Sequence, residues 1–124
     1  MGERVLRPLY WVGSSRDDLK GFPGKIQDHI GFALYQAQIG LKHRDAKPMA
    51  GIAPGLMEVV SRSGDGTYRA VYTVAFAEAL YVLHVFQKKS KRGIATPRQE
   101  IELMRRRLEL ATRYHAESHE KGER

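Results

Sequence analysis

Basic residues cluster in the segment from Thr67 to Pro97, and their side chains could bind and polarise a phosphate group. Arg69 lies within a predicted strand, and its planar guanidinium can donate two parallel hydrogen bonds to phosphate oxygens. A second predicted strand ends in a run of cations, which are Lys88, Lys89, Lys91 and Arg92. If the two strands pair, one end of a small sheet presents these charges together, as phosphodiester cleavage in RNA would require.

The role of each cation has a simpler alternative. Arg69 could instead form an ion pair across the sheet with an acidic side chain such as Glu58. Successive strand residues point to opposite faces, so only one of Lys88 and Lys89 can share a face with Arg69, and Lys88 is preferred. The KKSKR run could also serve only to keep a strand end soluble.

A loop is predicted from Leu41 to Gly55, because this stretch has two prolines, two glycines and no sustained period. Lys47 and His43 in this loop could fold over the sheet and add contacts to a phosphate or to RNA. Solubility alone is the alternative explanation for these polar side chains.

Histidines are the other candidates for proton transfer or metal binding. His84 alternates with Leu80, Val82 and Phe86, which predicts a hydrogen-bonded histidine on a buried face. His115 and His119 lie one helical turn apart and could form a metal pair. The sequence shows no third ligand for them, and the polar tail is expected to fray. No metal site and no cofactor are therefore predicted.

Composition limits the class of protein. The chain has 124 residues, a formal net charge of +7 and no cysteine, which excludes disulfides and thiolate metal sites. One domain spanning residues 1–124 is expected, with its core at about 7–112. No signal peptide or membrane span is visible, so the expectation is a cytoplasmic protein that does not bind membranes. The positive charge favours a polyanion or an acidic protein as partner.

Apolar periodicity predicts the elements that position these residues. A short strand at Leu9 to Val12 precedes a helical piece and an amphipathic helix from Gly24 to Gly40. Three antiparallel strands follow, at 56–61, 68–76 and 80–87, because their connections are too short for crossover helices. Thr96 and Pro97 predict the start of a last helix that ends near Tyr114. The fold class is therefore α+β, a mainly antiparallel sheet with N-terminal helices and a C-terminal helix packed on it.

The order of elements and several local sequences resemble the RelE/HigB-type toxins of bacterial toxin–antitoxin pairs, in particular their phage-associated HigB-like branch. The matching stretches are LYWVGSS, DHIGFALYQAQIG, KHRDAKPM, YRAVYTV and YVLHVFQKKSKRGIATP, and the resemblance covers residues 7–112.

The resemblance implies a RelE-like fold and a metal-independent endoribonuclease that cleaves mRNA, in many relatives on the ribosome. It also implies a cognate antitoxin, often a helix-turn-helix protein. The assignment carried onto this chain is Arg69, Lys88 and Lys47 as catalytic residues, with RNA contacts from Lys89, Lys91, Arg92 and His43. Two alternatives are a basic binding module of the same fold without catalysis, and an inert phage remnant.

Overall fold

The computed structural model describes residues 6–88 and 96–122 of the chain. Its elements in order are β1 (Leu9–Trp11), α1 (Ser15–Lys20), α2 (Gly24–Gln38), β2 (Ala46–Pro48), β3 (Leu56–Ser63), β4 (Gly66–Thr73), β5 (Leu80–Lys88) and α3 (Arg98–Gly122). The five strands form one sheet in the order β1-β5-β4-β3-β2. Only β1 pairs in parallel, with β5, and the other neighbours are antiparallel. The predicted α+β class and the antiparallel β3-β4-β5 meander are confirmed.

Helices cover both faces of the sheet. On one face, α1 and α2 bury a core that includes Ile30, Leu34, Val59, Ala70 and Val82. On the other face, α3 places Met104 against Val71 and Phe86, and Ala111 near Leu83. The sheet is therefore the middle of three layers, as expected for strands that are apolar on both faces.

A bulge in the β4–β5 ladder decides which side chains of β5 face which layer. The register shifts between Val71 and Tyr72, so that Val71 pairs with His84 and Tyr72 with Val82. Val82 packs on the α2 side, whereas His84 and Phe86 point to the α3 side. The prediction that His84 shares its face with Leu80 and Val82 is therefore wrong, because one extra residue reverses the alternation.

Two further predictions, on the bounds of a loop and of the last helix, are corrected. The loop predicted at 41–55 contains the short strand β2, whose residues pair with β3 from Ala46↔Val59 to Pro48↔Met57. Pro48 ends this strand at the edge of the sheet, where proline is tolerated. The part of the tail that the structure describes, residues 115–122, is helical, since α3 continues to Gly122 and buries His115.

Packing of α3 on the sheet gives a stability prediction. Met104 is fully buried, while Leu110 on the same helix is 55% exposed. Met104→Ala should lower the free energy of unfolding by about 2–5 kcal/mol, since it leaves a cavity between α3 and the sheet. Leu110→Ala, the matched control, should change it by less than about 0.5 kcal/mol. Urea unfolding followed by circular dichroism measures both, and equal effects would contradict this account of the core.

Candidate nucleic-acid interface

Four cationic side chains from four neighbouring strands lie on the same face of the sheet. In antiparallel strands, residues paired in the register point to the same side. The pairs Lys47↔Glu58, Val60↔Arg69, Arg69↔Phe86, Arg62↔Thr67 and Thr67↔Lys88 therefore place these residues on the α3 side. We call Lys47, Arg62, Arg69 and Lys88, with Glu58 among them, the cation face. On the described strands, this face carries four positive charges against one carboxylate.

Arg69 is held at the centre of the cation face by Glu58. Its Nη1 donates a hydrogen bond to Glu58 Oε2, and the side chains of Arg69 and Glu58 are 18% and 7% exposed. The ion pair named as the alternative for Arg69 is thus present. A guanidinium has five N–H donors, so after one contact to a carboxylate it can still donate hydrogen bonds to another group. The pair fixes the direction of the guanidinium while leaving part of it at the surface.

Lys47 and Lys88 flank this pair. Lys47 is exposed and sits opposite Glu58 in the register, while Lys88 is half-buried at the end of β5 and sits opposite Thr67. Lys88 therefore shares a face with Arg69, which is the placement preferred from the sequence. The other three predicted RNA contacts in this region, Lys89, Lys91 and Arg92, lie outside the described residues.

Arg62 completes the cation face and was missed by the sequence analysis. It is exposed, two residues before the β3–β4 turn, and pairs with Thr67 next to Lys88. Counting back through the turn from Arg69 gives Val60 as its partner and Arg62 as the next residue on the same face. The hairpin register could therefore have found it.

His43 is not part of the cation face. Its side chain is buried against α2, with ring centroids 5.2 Å from His29 and 5.7 Å from Phe32. Its Nδ1 accepts the Asp45 backbone N–H at 2.9 Å. The structure thus separates His43 from Arg69, because Ala46 of β2 packs on the α2 side and Lys47 points to the other side.

His84 lies beneath the cation face, under the first turns of α3. It is 6% exposed, its ring stacks on Phe86 at 4.6 Å, and its Nε2 lies 3.1 Å from Glu100 Oε2. Burial lowers the pKa of His84, although Glu100 opposes this shift. The imidazole is therefore neutral at pH 7, and the prediction of a buried, hydrogen-bonded histidine is confirmed.

Two buried polar atoms in this region have no hydrogen-bond partner among the described residues. They are Arg69 Nε and His84 Nδ1, and both residues flank Phe86. Buried groups of this kind are rare in folded proteins, where nearly all are bonded to protein or to ordered water. The α3 side of β4 and β5 thus combines surplus positive charge with unsatisfied polar groups.

A cationic sheet face of this kind fits the phosphate backbone of a nucleic acid. Lys and Arg side chains on rigid strands can neutralise several phosphates, and Arg69 can donate more than one hydrogen bond to a single phosphate. During cleavage of RNA, the same charges would stabilise the additional negative charge of the phosphorane.

Comparison with known families places the chain among proteins derived from phages. The family model described as "Phage derived protein Gp49-like (DUF891)" matches residues 17–109, about three quarters of the chain. The chain belongs to this family. The Gp49-like family is of the RelE toxin type, so the predicted resemblance to RelE-type toxins is confirmed. Membership supports a toxin of a toxin–antitoxin system as its role.

One solved structure that matches this chain in part is the toxin–antitoxin complex RelBE2 from Mycobacterium tuberculosis. The match is 19% identical in sequence, covers 73% of this chain and 100% of that chain, and has a TM-score of 0.44. No curated protein shows significant sequence similarity to this Gp49-like chain. Within the part of the chain that the structure describes, no helix is long and apolar enough to cross a membrane.

The burial of His84 predicts how stability changes with pH. Its pKa in the folded chain is below the unfolded value of about 6.5, so between these two values the unfolded chain binds more protons. Stability is therefore lost as pH falls from about 7 through this window, with a slope from His84 of at most about 1.4 kcal/mol per pH unit.

His84→Gln removes this contribution, so its unfolding free energy should fall less steeply than that of the wild type between pH 7.5 and 5.5. Urea titrations at several pH values measure the difference between the two proteins. A difference that stays constant across this range would show that His84 is not held neutral by burial.

Proposed function

We propose that this Gp49-like protein is the toxin of a type II toxin–antitoxin pair and acts as an endoribonuclease that cleaves mRNA, on the ribosome, and so stops translation. Family membership supports the toxin role. The observation that carries the proposed chemistry is the cation face, where Lys47, Arg62, Arg69 and Lys88 come together from four strands. Arg69 and Lys88, with Lys47, are the proposed catalytic residues.

The proposed reaction is attack of the ribose 2′-oxygen on the adjacent phosphate: the 2′-hydroxyl proton passes to solvent water, the 2′-O–P bond forms, the P–O5′ bond breaks, and the 5′-oxygen takes up a proton. The attack produces a phosphorane with additional negative charge, and the cations stabilise that charge more strongly than they stabilise the ground state. Arg69 is suited to this role because Glu58 fixes its guanidinium before substrate arrives, so little reorganisation is needed. Lys88, on the same face near the end of β5, would neutralise the leaving 5′-oxygen.

Binding to the ribosome would compensate for the lack of an exposed general base among the described residues of the cation face. The one histidine among the described residues of this face, His84, is buried beneath it. A modest catalytic set is sufficient if the ribosome holds the mRNA with its 2′-hydroxyl in line with the scissile bond, because positioning alone lowers the barrier substantially.

The proposed partner that silences the toxin is a cognate antitoxin, with the helix-turn-helix type as the specific proposal. A chain with net charge +7 is expected to attract an acidic partner rapidly at low salt. An antitoxin that covers the cation face would block RNA binding and neutralise the same residues.

A second candidate function is a binding module without catalysis. The observation that favours it is the Arg69–Glu58 ion pair. Each charge needs the other as a partner at this depth, so the pair has a role in the sheet whether or not the protein cleaves RNA. Such a module would bind nucleic acid through the exposed cations and would not cleave it.

Expression in bacteria separates the two functions. The wild-type chain, expressed without its antitoxin, should arrest growth and protein synthesis, and Arg69→Ala or Lys88→Ala should relieve the arrest. The expected loss is about 2–4 kcal/mol of transition-state stabilisation for each residue, or roughly thirty- to a thousand-fold in cleavage rate. Arg113→Ala is the matched control, since Arg113 is an exposed arginine of α3 paired with Glu109.

Loss of the buried ion pair could also unfold the protein, so soluble protein level and unfolding free energy must be measured for every variant. Arg69→Ala should retain most of its RNA affinity in a filter-binding assay, because the other cations remain. Full toxicity of folded Arg69→Ala and Lys88→Ala would exclude these residues as the catalytic set. Wild type that binds RNA but neither cleaves it nor stops growth would favour the binding module.

The ends of the RNA products test the mechanism itself. Attack by the 2′-hydroxyl leaves a 2′,3′-cyclic phosphate or a 3′-phosphate on one fragment and a 5′-hydroxyl on the other. Mapping of mRNA 5′ ends after brief induction should therefore require a kinase step before adaptor ligation. Fragments with 5′-phosphate ends that ligate directly would contradict this mechanism and indicate attack by water instead.

A further inference from the structure

A second cluster of polar side chains lies at the opposite end of the sheet from Arg62 and Lys88. Glu78, in the connection between β4 and β5, lies beside His115 and His119 of α3. Because β4 has eight residues at about 3.3 Å each, this cluster is roughly 25 Å from the β3–β4 turn. It therefore takes no part in the proposed chemistry of the cation face.

The three side chains offer the ligand set of a transition-metal site. His115 Nε2 lies 2.9 Å from Glu78 Oε1, and one ligand atom of each of the three residues lies within 4.8 Å of the others. His115 and His119 are four residues apart on α3, and their rings stack with centroids 3.9 Å apart. Two imidazoles and a carboxylate are common ligands of Zn²⁺ and other first-row divalent ions.

Hydrogen bonds already hold His119 in the tautomer that a metal requires. Its Nδ1 lies 3.0 Å from the carbonyl oxygen of His115. A carbonyl only accepts, so Nδ1 must carry a proton, and in the neutral ring the lone pair then lies on Nε2. Metal-bound histidines typically donate their second N–H in this way, to a carbonyl or carboxylate.

His115 is oriented by a buried partner. Tyr81 Oη lies 2.8 Å from His115 Nδ1, and Phe76 packs on the same imidazole at 4.2 Å. A carboxylate only accepts, so in the neutral ring His115 Nε2 donates its proton to Glu78 and Nδ1 accepts the Tyr81 hydroxyl proton. A metal at Nε2 would replace that proton, and Nδ1 would then be the protonated nitrogen and donate to Tyr81 Oη. Both histidines therefore have the outer hydrogen bonds that fix ring orientation in metal sites.

Metal binding requires only small shifts of the three ligand atoms. Zn–N and Zn–O bonds of about 2.0–2.2 Å bring ligand atoms to within about 4 Å of one another. Glu78 is exposed and His119 is half-buried, so both can adjust, while the buried His115 stays in place.

A second group, His29, His43 and Asp45, has a comparable composition but fits a metal less well. His43 Nδ1 already accepts the backbone N–H of Asp45, so in the neutral ring Nε2 carries the proton. His29 is bonded on both nitrogens, to Ser61 Oγ at 2.5 Å and to Asp45 Oδ2 at 2.8 Å, as His115 is in the first cluster, so the two clusters differ at His43. This cluster is therefore a useful control.

We propose that Glu78, His115 and His119 bind a divalent transition-metal ion, with Zn²⁺ as the best match, and that the ion fastens the β4–β5 connection to the C-terminal turns of α3. Three protein ligands leave at least one coordination position for water. The role proposed for the ion is to join two segments that are far apart in sequence, away from the cation face.

The test uses the full-length chain without an affinity tag, since a polyhistidine tag would bind the same ions. Zn²⁺ and Co²⁺ are titrated separately, with isothermal calorimetry for Zn²⁺ and visible absorption for Co²⁺. One ion per chain should bind, and Zn²⁺ should raise the melting temperature because it binds the folded state. Hydrogen exchange in the last turns of α3 should slow when Zn²⁺ is present.

His119→Ala and Glu78→Gln should each weaken Zn²⁺ binding at least about tenfold and remove the shift in melting temperature. Both positions are partly or fully exposed, so the variants should fold, and circular dichroism without metal checks this. His29→Ala, from the second cluster, and Glu117→Gln, an exposed carboxylate of α3, should bind like the wild type.

Equal Zn²⁺ binding by wild type and His119→Ala would overturn the proposal, as would the absence of binding at Zn²⁺ concentrations far above that of the protein. Loss of binding only in His29→Ala would assign the ion to the second cluster and would overturn it equally. His119→Ala should retain its toxicity, so failure of the metal site and failure of the proposed ribonuclease activity are independent results.

Discussion

Strand β5 is buried on both faces between the two helical layers, and the positions of the other elements depend on it. All seven side chains from Leu80 to Phe86 are buried. At about 1.5–3 kcal/mol for each large apolar side chain removed from water, this strand contributes one of the largest favourable terms in the fold. It also pairs with β1 on one side and β4 on the other, so it connects the N-terminal segment to the meander.

The bulge opposite Val71 and Tyr72 is the feature that links this burial to the proposed function. If the same residues alternated strictly from Tyr81 without this bulge, His84, Phe86 and Lys88 would face α2. With it, these three residues join Arg69 on the α3 side, and Lys88 becomes part of the cation face. The bulge thus determines whether Arg69 of β4 and Lys88 of β5 lie on the same face of the sheet.

Most of the fold could be predicted from local patterns, and the exceptions have physical causes. Helix α2 was predicted from its apolar period, and the β3–β4 hairpin from the turn at Ser63–Gly66. Both predictions are correct because each pattern depends on residues close together in the sequence. The bulge could not be predicted, because a run that is apolar on both faces has no alternation to reveal a shift. Strand β2 was missed because its pairing with β3 is a long-range contact and its sequence, AKP, has little strand propensity.

The residues of the candidate site likewise include some that local sequence could place and others whose positions depend on distant contacts. Arg69 and Lys88 could be placed together from the hairpin, and Arg62 could have been added from the same register. The position of His43 could not be predicted, since it depends on packing against α2. The extent of α3 was underestimated because its last turns are polar in sequence, and the contacts that stabilise them come from Tyr81 and Glu78, more than thirty residues away.

The Arg69–Glu58 pair connects the stability of the sheet with the activity proposed for it. A carboxylate as buried as that of Glu58 needs a cationic partner, because an unpaired charge at this depth would cost several kcal/mol. A phosphate that approaches Arg69 competes with this carboxylate for the same guanidinium and is repelled by its charge. The surrounding Lys47, Arg62 and Lys88 offset that repulsion. Under the proposed function, several positive charges would therefore be needed for one phosphate, since the carboxylate that orients Arg69 also cancels part of its field.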